Sequence, residues 1–90
     1  MKALELINKM DLDLEIDFDN VQDLGTKIMA QTMKKIPKAQ NEFLELINEV
    51  CETEYTKDSD IMEMVKEIKI HGLEIAKVFQ QALNFKNEIS

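Results

Sequence analysis

Apolar residues recur at steps of three and four along most of the 90-residue chain, which is the pattern of helices that bury one face. The clearest repeat starts at Ala39 and predicts a helix that ends near Glu52. An earlier repeat must end near Pro37, which lacks a backbone N–H and restricts the residue before it. Pro37 also suits the first turn of the next helix. The residues predicted to face inward are Val21, Leu24, Ile28, Thr32 and Ile36, with Met29 and Met33 at the edge, and then Ala39, Phe43, Leu46, Ile47 and Val50.

The two ends of the chain predict further helices. Residues 2 to 10 form a short amphipathic segment, and a polar loop from Glu52 to Asp60 precedes a second helical half. We expect Gly72 to be a left-handed residue that closes one helix, with Leu73 packing behind it; one long helix kinked at Gly72 is the alternative. The inward residues are Leu4 and Ile7, with Leu6 and Met10 as further candidates, then Ile61, Met64, Val65 and Ile68, and finally Ala76, Phe79, Ala82 and Leu83.

Two sequence patterns resemble the capping box that starts many helices. Asp19 stands three residues before Gln22, and Asp60 stands three residues before Glu63. Gly25 falls inside the helix that follows Asp19 and is expected to weaken it slightly. With only two glycines and one proline, the chain predicts an all-α fold. We expect a single domain over residues 1–90, a small bundle of four to five short helices with an extended N-terminal segment near residues 11–18.

That N-terminal segment reads DLDLEIDFD and alternates strictly between acidic and apolar residues. A helix would place its apolar residues on two faces, whereas an extended segment places all of them on one face. The chain offers no second strand to pair with it, and an isolated strand leaves backbone groups unpaired. The segment is therefore expected to pack extended across the bundle; the alternative is that it pairs with a copy in another subunit. The apolar residues concerned are Leu12, Leu14, Ile16 and Phe18.

The composition excludes several partners. The formal net charge is −7, which disfavours non-specific binding to nucleic acid or anionic lipid. All basic residues are lysine, so bidentate arginine clamps on phosphate or guanine are missing. No stretch approaches the roughly 20 apolar residues of a membrane span. The first residues lack the apolar core of a signal peptide, and the single cysteine fits a reducing compartment, so we expect a cytoplasmic location.

Candidate catalytic and metal-binding groups are few. The acidic run from Asp11 has Ile16 and Gln22 where a calcium-binding EF-hand loop needs glycine and glutamate. His71, the one histidine, follows Glu67 by one helical turn, but one histidine cannot build a zinc site of the usual kind. Cys51 lies on an apolar helix edge in an acidic stretch, where a buried, inert thiol is expected. The sequence therefore predicts no enzyme, no cofactor and no metal.

Methionine is unusually frequent, with six in the chain. Methionine side chains fill irregular cores, and they also line adaptable grooves that accept helices of other proteins. A small bundle with spare methionine and phenylalanine residues can accept an amphipathic helix from another protein. The candidate partner-binding residues are Met29, Met33, Met62, Met64, Phe79, Leu83 and Phe85.

The segment from Lys38 to about Asn84 resembles the tail assembly chaperones of long-tailed phages. The matching features are the EFL triplet at residues 42–44, the polar loop to Asp60, the IMEMVKEI stretch at 61–68, and a last helix with Phe79. The resemblance implies a non-catalytic, acidic helical protein that self-associates. It also implies a client, the tape measure protein, which is a long, apolar, helical chain kept from aggregating until the tail tube forms. The expected partners are thus another protein of this kind and further copies of the chain.

A second hypothesis is an acidic immunity protein or inhibitor, including a DNA mimic. It rests on the acidic run from Asp11 to Asp23, because no lysine occurs between Lys9 and Lys27. Mimicry of DNA requires carboxylates at phosphate-like spacing, and lysines after residue 56 dilute the charge of the remaining surface.

Overall fold

The computed structural model describes residues 2–10 and 15–89. They form five α-helices: α1 (Lys2–Met10), α2 (Val21–Ala30), α3 (Gln40–Cys51), α4 (Ile61–Ile70) and α5 (Gly72–Ile89). The described part of the chain contains no strand. The predicted all-α bundle is therefore confirmed.

The corner between α2 and α3 has the predicted position and an unpredicted geometry. After Ala30 the helix widens into a π-helical segment, Gln31–Lys35, and Pro37–Ala39 form a 3-10 turn that leads into α3. The Ile36 N–H donates to Gln31 O at 3.2 Å, the five-residue spacing of a π turn. The Gln40 side chain donates across the corner to Met33 O at 3.0 Å. Ile36 ends the helix before proline, as predicted.

The core receives side chains from every helix. Helix α1 packs against α3 and α5, whereas α2 packs against α4 and α5. Thr32 is the buried polar residue, and its hydroxyl donates to Ile28 O at 3.0 Å, so no polar group is stranded there. The fully or nearly fully buried apolar residues are Ala3, Leu6, Ile7, Met10, Leu24, Ile28, Ala39, Phe43, Leu44, Leu46, Ile47, Cys51, Met64, Ile68, Ile75, Ala76, Phe79 and Ala82.

The two glycines bring helices into close contact. A Cβ on Gly25 of α2 would overlap the Cγ2 methyl of Ile68 on α4, and a Cβ on Gly72 would lie 2.9 Å from Val21 O. The residue pairs 21–72 and 25–68 run in opposite directions along the chain, so α2 and α4 are antiparallel. Gly25 thus allows α2 and α4 to pack closely, although glycine has low helix propensity. The sequence indicated the low propensity and did not indicate the packing role.

The prediction of a left-handed Gly72 was wrong. Neither described glycine has a positive φ, and Gly72 instead begins α5 as a buried residue. His71 ends α4 with φ −100° and ψ 21°, so two helices meet at a single residue. Leu73 does not pack behind the helix end, because it is 49% exposed. The left-handed residue is Glu52, with φ 55°, after the end of α3.

The two predicted capping boxes had different outcomes. Asp60 caps α4, since its carboxylate accepts from Met62 N at 2.9 Å. Asp19 does not cap α2. Its own backbone N–H donates to the Asp17 carboxylate at 3.0 Å, which caps a 3-10 turn at Phe18–Asn20 that leads into the helix.

Most predicted inward residues are buried or partly buried, and one correction applies. In α1, Ile7, Leu6 and Met10 are buried as predicted and Leu4 packs partly buried against the core, while Ala3 is a further buried residue that the sequence did not indicate. Ile61 is 56% exposed because it lies in the first turn of α4, at the rim of the bundle.

The alternating acidic segment is described only from residue 15, and the prediction for Leu12 and Leu14 lies outside the described residues. Residues 15–17 are neither helix nor strand, and Asp17 has extended dihedrals, as expected. Ile16 packs partly buried against the core. Phe18 departs from the prediction: it belongs to the 3-10 turn and is 48% exposed, because the turn rotates it away from the bundle.

Candidate functional site

An apolar groove opens between the C-terminal end of α2, the π-helical segment after it and the first turns of α4. Its walls are Met29, Ala30, Met33, Ile61 and Met64. Its empty space, including the part open to solvent, is about 740 Å³. All five wall residues are apolar and three are methionine.

The position of the groove follows from the packing of α2 against α4. The helices touch closely where Gly25 meets Ile68, and the groove lies towards the other end of the same pair, at Met29 and Met64. The π-helical segment includes Met33 and changes the helical register there. Widened turns of this kind occur frequently at functional sites.

The chemistry of the groove is that of an adaptable hydrophobic binding surface. Met29 and Met33 are partly buried, Ala30 is exposed, and Met64 forms the floor at 1% exposure. Unbranched methionine side chains change rotamer easily and fit apolar partners of varied shape. None of the wall residues can transfer a proton or act as a nucleophile. The groove can therefore bind apolar side chains, and it supplies no catalytic group.

The seven residues predicted to bind a partner lie in three different places. Met29, Met33 and Met64 line the groove together. Met62 follows the groove residue Ile61 in α4, is 68% exposed and does not line the groove. Phe79 is completely buried in the core, and Leu83 is partly buried against it, which gives both a packing role in the folded chain. Phe85 is 44% exposed on α5 and does not line the groove.

Sequence reasoning missed two groove residues, Ala30 and Ile61. Ala30 sits on the side of α2 away from its apolar stripe, and Ile61 was assigned to the core. The available signal was position: Ala30 is the last residue of α2, and Ile61 is the first residue of α4. Finding them required the relative placement of α2 and α4.

The two candidate reactive groups are placed as structural residues. Cys51 is buried with its Sγ 4.0 Å from Glu67 O, and burial, with smaller effects of Glu67 and Glu74, raises the pKa of the thiol to about 11. His71 Nδ1 lies 3.0 Å from Glu67 O and 3.6 Å from Glu67 Oε2 at the end of α4. Among the described residues, no group of three or more potential ligands is arranged to hold a metal ion.

A pair of charged side chains joins α1 to α3 on another side of the bundle. Lys9 of α1 donates to Glu42 of α3. This hydrogen bond lowers the pKa of the Glu42 carboxyl below its usual value, helped by a backbone hydrogen bond, while partial desolvation opposes the shift. The pair connects elements and lies outside the groove.

Exposed acidic residues lie shortly before the start of α2 and in its first turn. Glu15, Asp17 and Asp23, together with Asn20, line a shallow cleft that also contains Lys27. Glu15, Asp17, Asp19 and Asp23 are all exposed. Solvent can stabilise these charges, and the cleft shows no convergent set of metal ligands.

Comparisons with known proteins found no relative of the chain. No family model, curated protein or solved structure matches the chain. Within the described part of the chain, none of the helices is both long enough and apolar enough to cross a membrane.

Proposed function

We propose that the protein is a non-catalytic binding protein that holds an apolar helical segment of another protein in the methionine groove. The observation that carries this proposal is the grouping of Met29, Met33 and Met64 with Ala30 and Ile61 in one concave apolar surface. Recognition of an amphipathic helix by a hydrophobic groove is a common mode of peptide binding.

The nature of the client follows from the chemistry of the groove. A wall of methionine and alanine makes few directional contacts, so it favours apolar character over an exact sequence. Such a site suits a client that presents many similar apolar turns along a long helix. The net charge of −7 would keep complexes of protein and client apart from one another.

The more specific proposal is a phage tail assembly chaperone whose client is the tape measure protein. It is supported by the resemblance of the segment from Lys38 to about Asn84 and by the helical bundle with an apolar groove. In this role the protein acts in the cytoplasm, and in the host cytoplasm if a phage encodes it. It covers apolar turns of the client until the tail tube replaces it, and it needs neither cofactor nor metal.

Co-expression with the tape measure protein encoded beside its gene tests this proposal. The wild-type protein is expected to keep that client in the supernatant after centrifugation, and Ala30→Glu is expected to abolish the effect. Ala30 is exposed, so the added carboxylate leaves the core intact while placing a charge in the groove.

Gln81→Glu is the matched control, because residue 81 is exposed on α5 and is not a groove residue. It adds the same charge and should rescue the client as well as the wild type does. The proposal fails if the wild type leaves the client insoluble. It also fails if Ala30→Glu and Gln81→Glu rescue it equally.

The exposed acids between Glu15 and Asp23 favour one second candidate, an acidic inhibitor of a basic protein. Binding to nucleases and DNA-binding proteins, measured over a range of salt concentrations, tests it. An inhibitor of this kind should bind a basic target more weakly as salt rises. The absence of any salt-sensitive binding would eliminate this candidate.

A further inference from the structure

The backbone carbonyl of Met33 lies in the π-helical segment that forms one wall of the groove. In an α-helix this oxygen would accept a hydrogen bond from the N–H four residues later. That residue is Pro37, which has no N–H, and Ile36 before it has φ −131° and ψ 76°, outside the helical region. The backbone that follows therefore cannot supply the usual α-helical donor to Met33.

The side chain of Gln40 supplies a donor in its place. Its Nε2 donates to Met33 O at 3.0 Å, across the corner that contains Pro37. Gln40 is partly buried and is the first residue of α3. A carbonyl at the end of one helix is thus satisfied by a side chain of the next helix.

Other hydrogen bonds of the π-helical segment stay within that segment and the helix before it. The Ile36 N–H donates to Gln31 O at 3.2 Å, and the Thr32 hydroxyl donates to two carbonyls of the preceding turn at 3.0 and 3.1 Å. Neither contact reaches α3. The Gln40 amide therefore ties the Met33 backbone to a different helix.

The Met33 backbone determines where its side chain enters the groove. Met33 is partly buried, packs against the core and lines the groove. A methionine side chain has three rotatable bonds and adapts easily, so packing alone defines its direction weakly. A fixed backbone at this position keeps the thioether on the groove side.

We propose that Gln40 is a positioning residue of the groove, which holds the Met33 wall in place before a client binds. The inference rests on the proposed function, because it concerns how the groove is prepared for an apolar helix. Gln40 does not line the groove and acts through Met33. A wall that is already ordered loses less conformational freedom on binding, so this hydrogen bond contributes to affinity without a contact to the client.

Two variants remove the donor in different ways. Gln40→Glu preserves the size of the side chain and replaces the amide with a carboxylate, which only accepts hydrogen bonds. Gln40→Leu removes the donor without adding a charge. If both variants have the same effect, its cause is the missing hydrogen bond, whereas an effect of Gln40→Glu alone would show that charge is the cause and would overturn the inference.

Asn41→Asp is the matched control for Gln40→Glu. Asn41 is the next residue of α3, is exposed and does not line the groove. Both substitutions change an amide into a carboxylate in the first turn of the same helix, where the helix dipole favours a negative charge. A general effect of the added charge on α3 would appear in both variants, and an effect on the groove only in Gln40→Glu.

Methyl NMR of the peptide-free protein, labelled at methionine, measures the position of Met33 without any client. Both Gln40 variants are expected to move the Met33 signal. The signals of Met10 in α1 and of Met62, which does not line the groove, should stay in place. Asn41→Asp should leave all three signals unchanged. A Met33 signal that stays in place in both Gln40 variants would overturn the inference and would leave the proposed function standing.

Titration with an amphipathic helical peptide that has a leucine face measures the effect on binding. Both Gln40 variants are expected to bind it about three- to tenfold more weakly than the wild type and Asn41→Asp do. Equal affinities of the wild type and the Gln40 variants would overturn the inference, even with a displaced Met33 signal. A wild type that does not bind the peptide would overturn the proposed function instead, and the Met33 signal would then decide whether Gln40 positions this wall.

Discussion

At the residue scale, the most informative positions are the two glycines. Composition alone suggests flexibility, but both are buried at helix contacts where a methyl group has no room. Gly25 lies against Ile68, whose methyl is attached to a branched carbon and cannot turn away freely. The close approach of α2 and α4 therefore depends on the missing side chain.

Gly25→Ala is expected to lower the free energy of unfolding by about 1–3 kcal/mol, which is typical of overpacking. Higher helix propensity of alanine would recover only about 1 kcal/mol of this. Ile68→Ala in the Gly25→Ala background should cost less than Ile68→Ala alone, because it removes the clashing methyl. Urea denaturation of the four proteins in this cycle measures the coupling. Additive costs would contradict a direct contact.

Cys51 is the second residue with a testable environment. Burial raises the pKa of its thiol to about 11, so almost no thiolate is present at neutral pH. We expect the native protein to react with a disulfide reagent such as DTNB at least about tenfold more slowly than the same protein in denaturant. Absorbance kinetics measure both rates. Equal rates would show that Cys51 is accessible, and its core position would then be wrong.

At the element scale, the sequence predicted most helices and missed how they meet. Helical periodicity located α3 and its end near Glu52, and Asp60 correctly indicated the start of α4. These features depend on residues near each other in the chain. Gly72 was misassigned because a glycine near a helix end more often closes the helix, whereas here tertiary contact with Val21 decides its role.

The Lys9–Glu42 pair joins α1 to α3 and makes stability depend on pH. The pKa of Glu42 is lowered in the folded state, so the pair stabilises the fold above the usual carboxyl pKa, and this contribution is lost as pH falls through the lowered value. Glu42→Gln should therefore reduce the melting temperature near neutral pH and have little effect in acid. Thermal melts at several pH values measure this. Glu45→Gln, on the exposed side of α3, is the matched control and should show a much smaller difference. An equal reduction by Glu42→Gln at every pH would contradict the ionic explanation.

At the scale of the whole molecule, the arrangement of α2 and α4 relates the fold to the proposed function. Close packing at the glycine end leaves a methionine-lined groove at the other end. The sequence suggested Met29, Met33 and Met64 for binding, and the structure brings them together. The sequence could not distinguish these methionines from Phe79, which fills the core. The pattern of apolar residues along a helix is the same whether or not a neighbouring helix covers them.

Methyl NMR of protein labelled at methionine tests the groove most directly. The probe is an amphipathic peptide of about 20 residues with a leucine face, long enough to form a helix. The account predicts that the methyl signals of Met29, Met33 and Met64 shift during the titration. The signal of Met10, buried in the core part of α1, should remain in place. Unchanged signals from all three groove methionines, or larger shifts at Met10, would contradict the central claim that this groove binds an apolar helix.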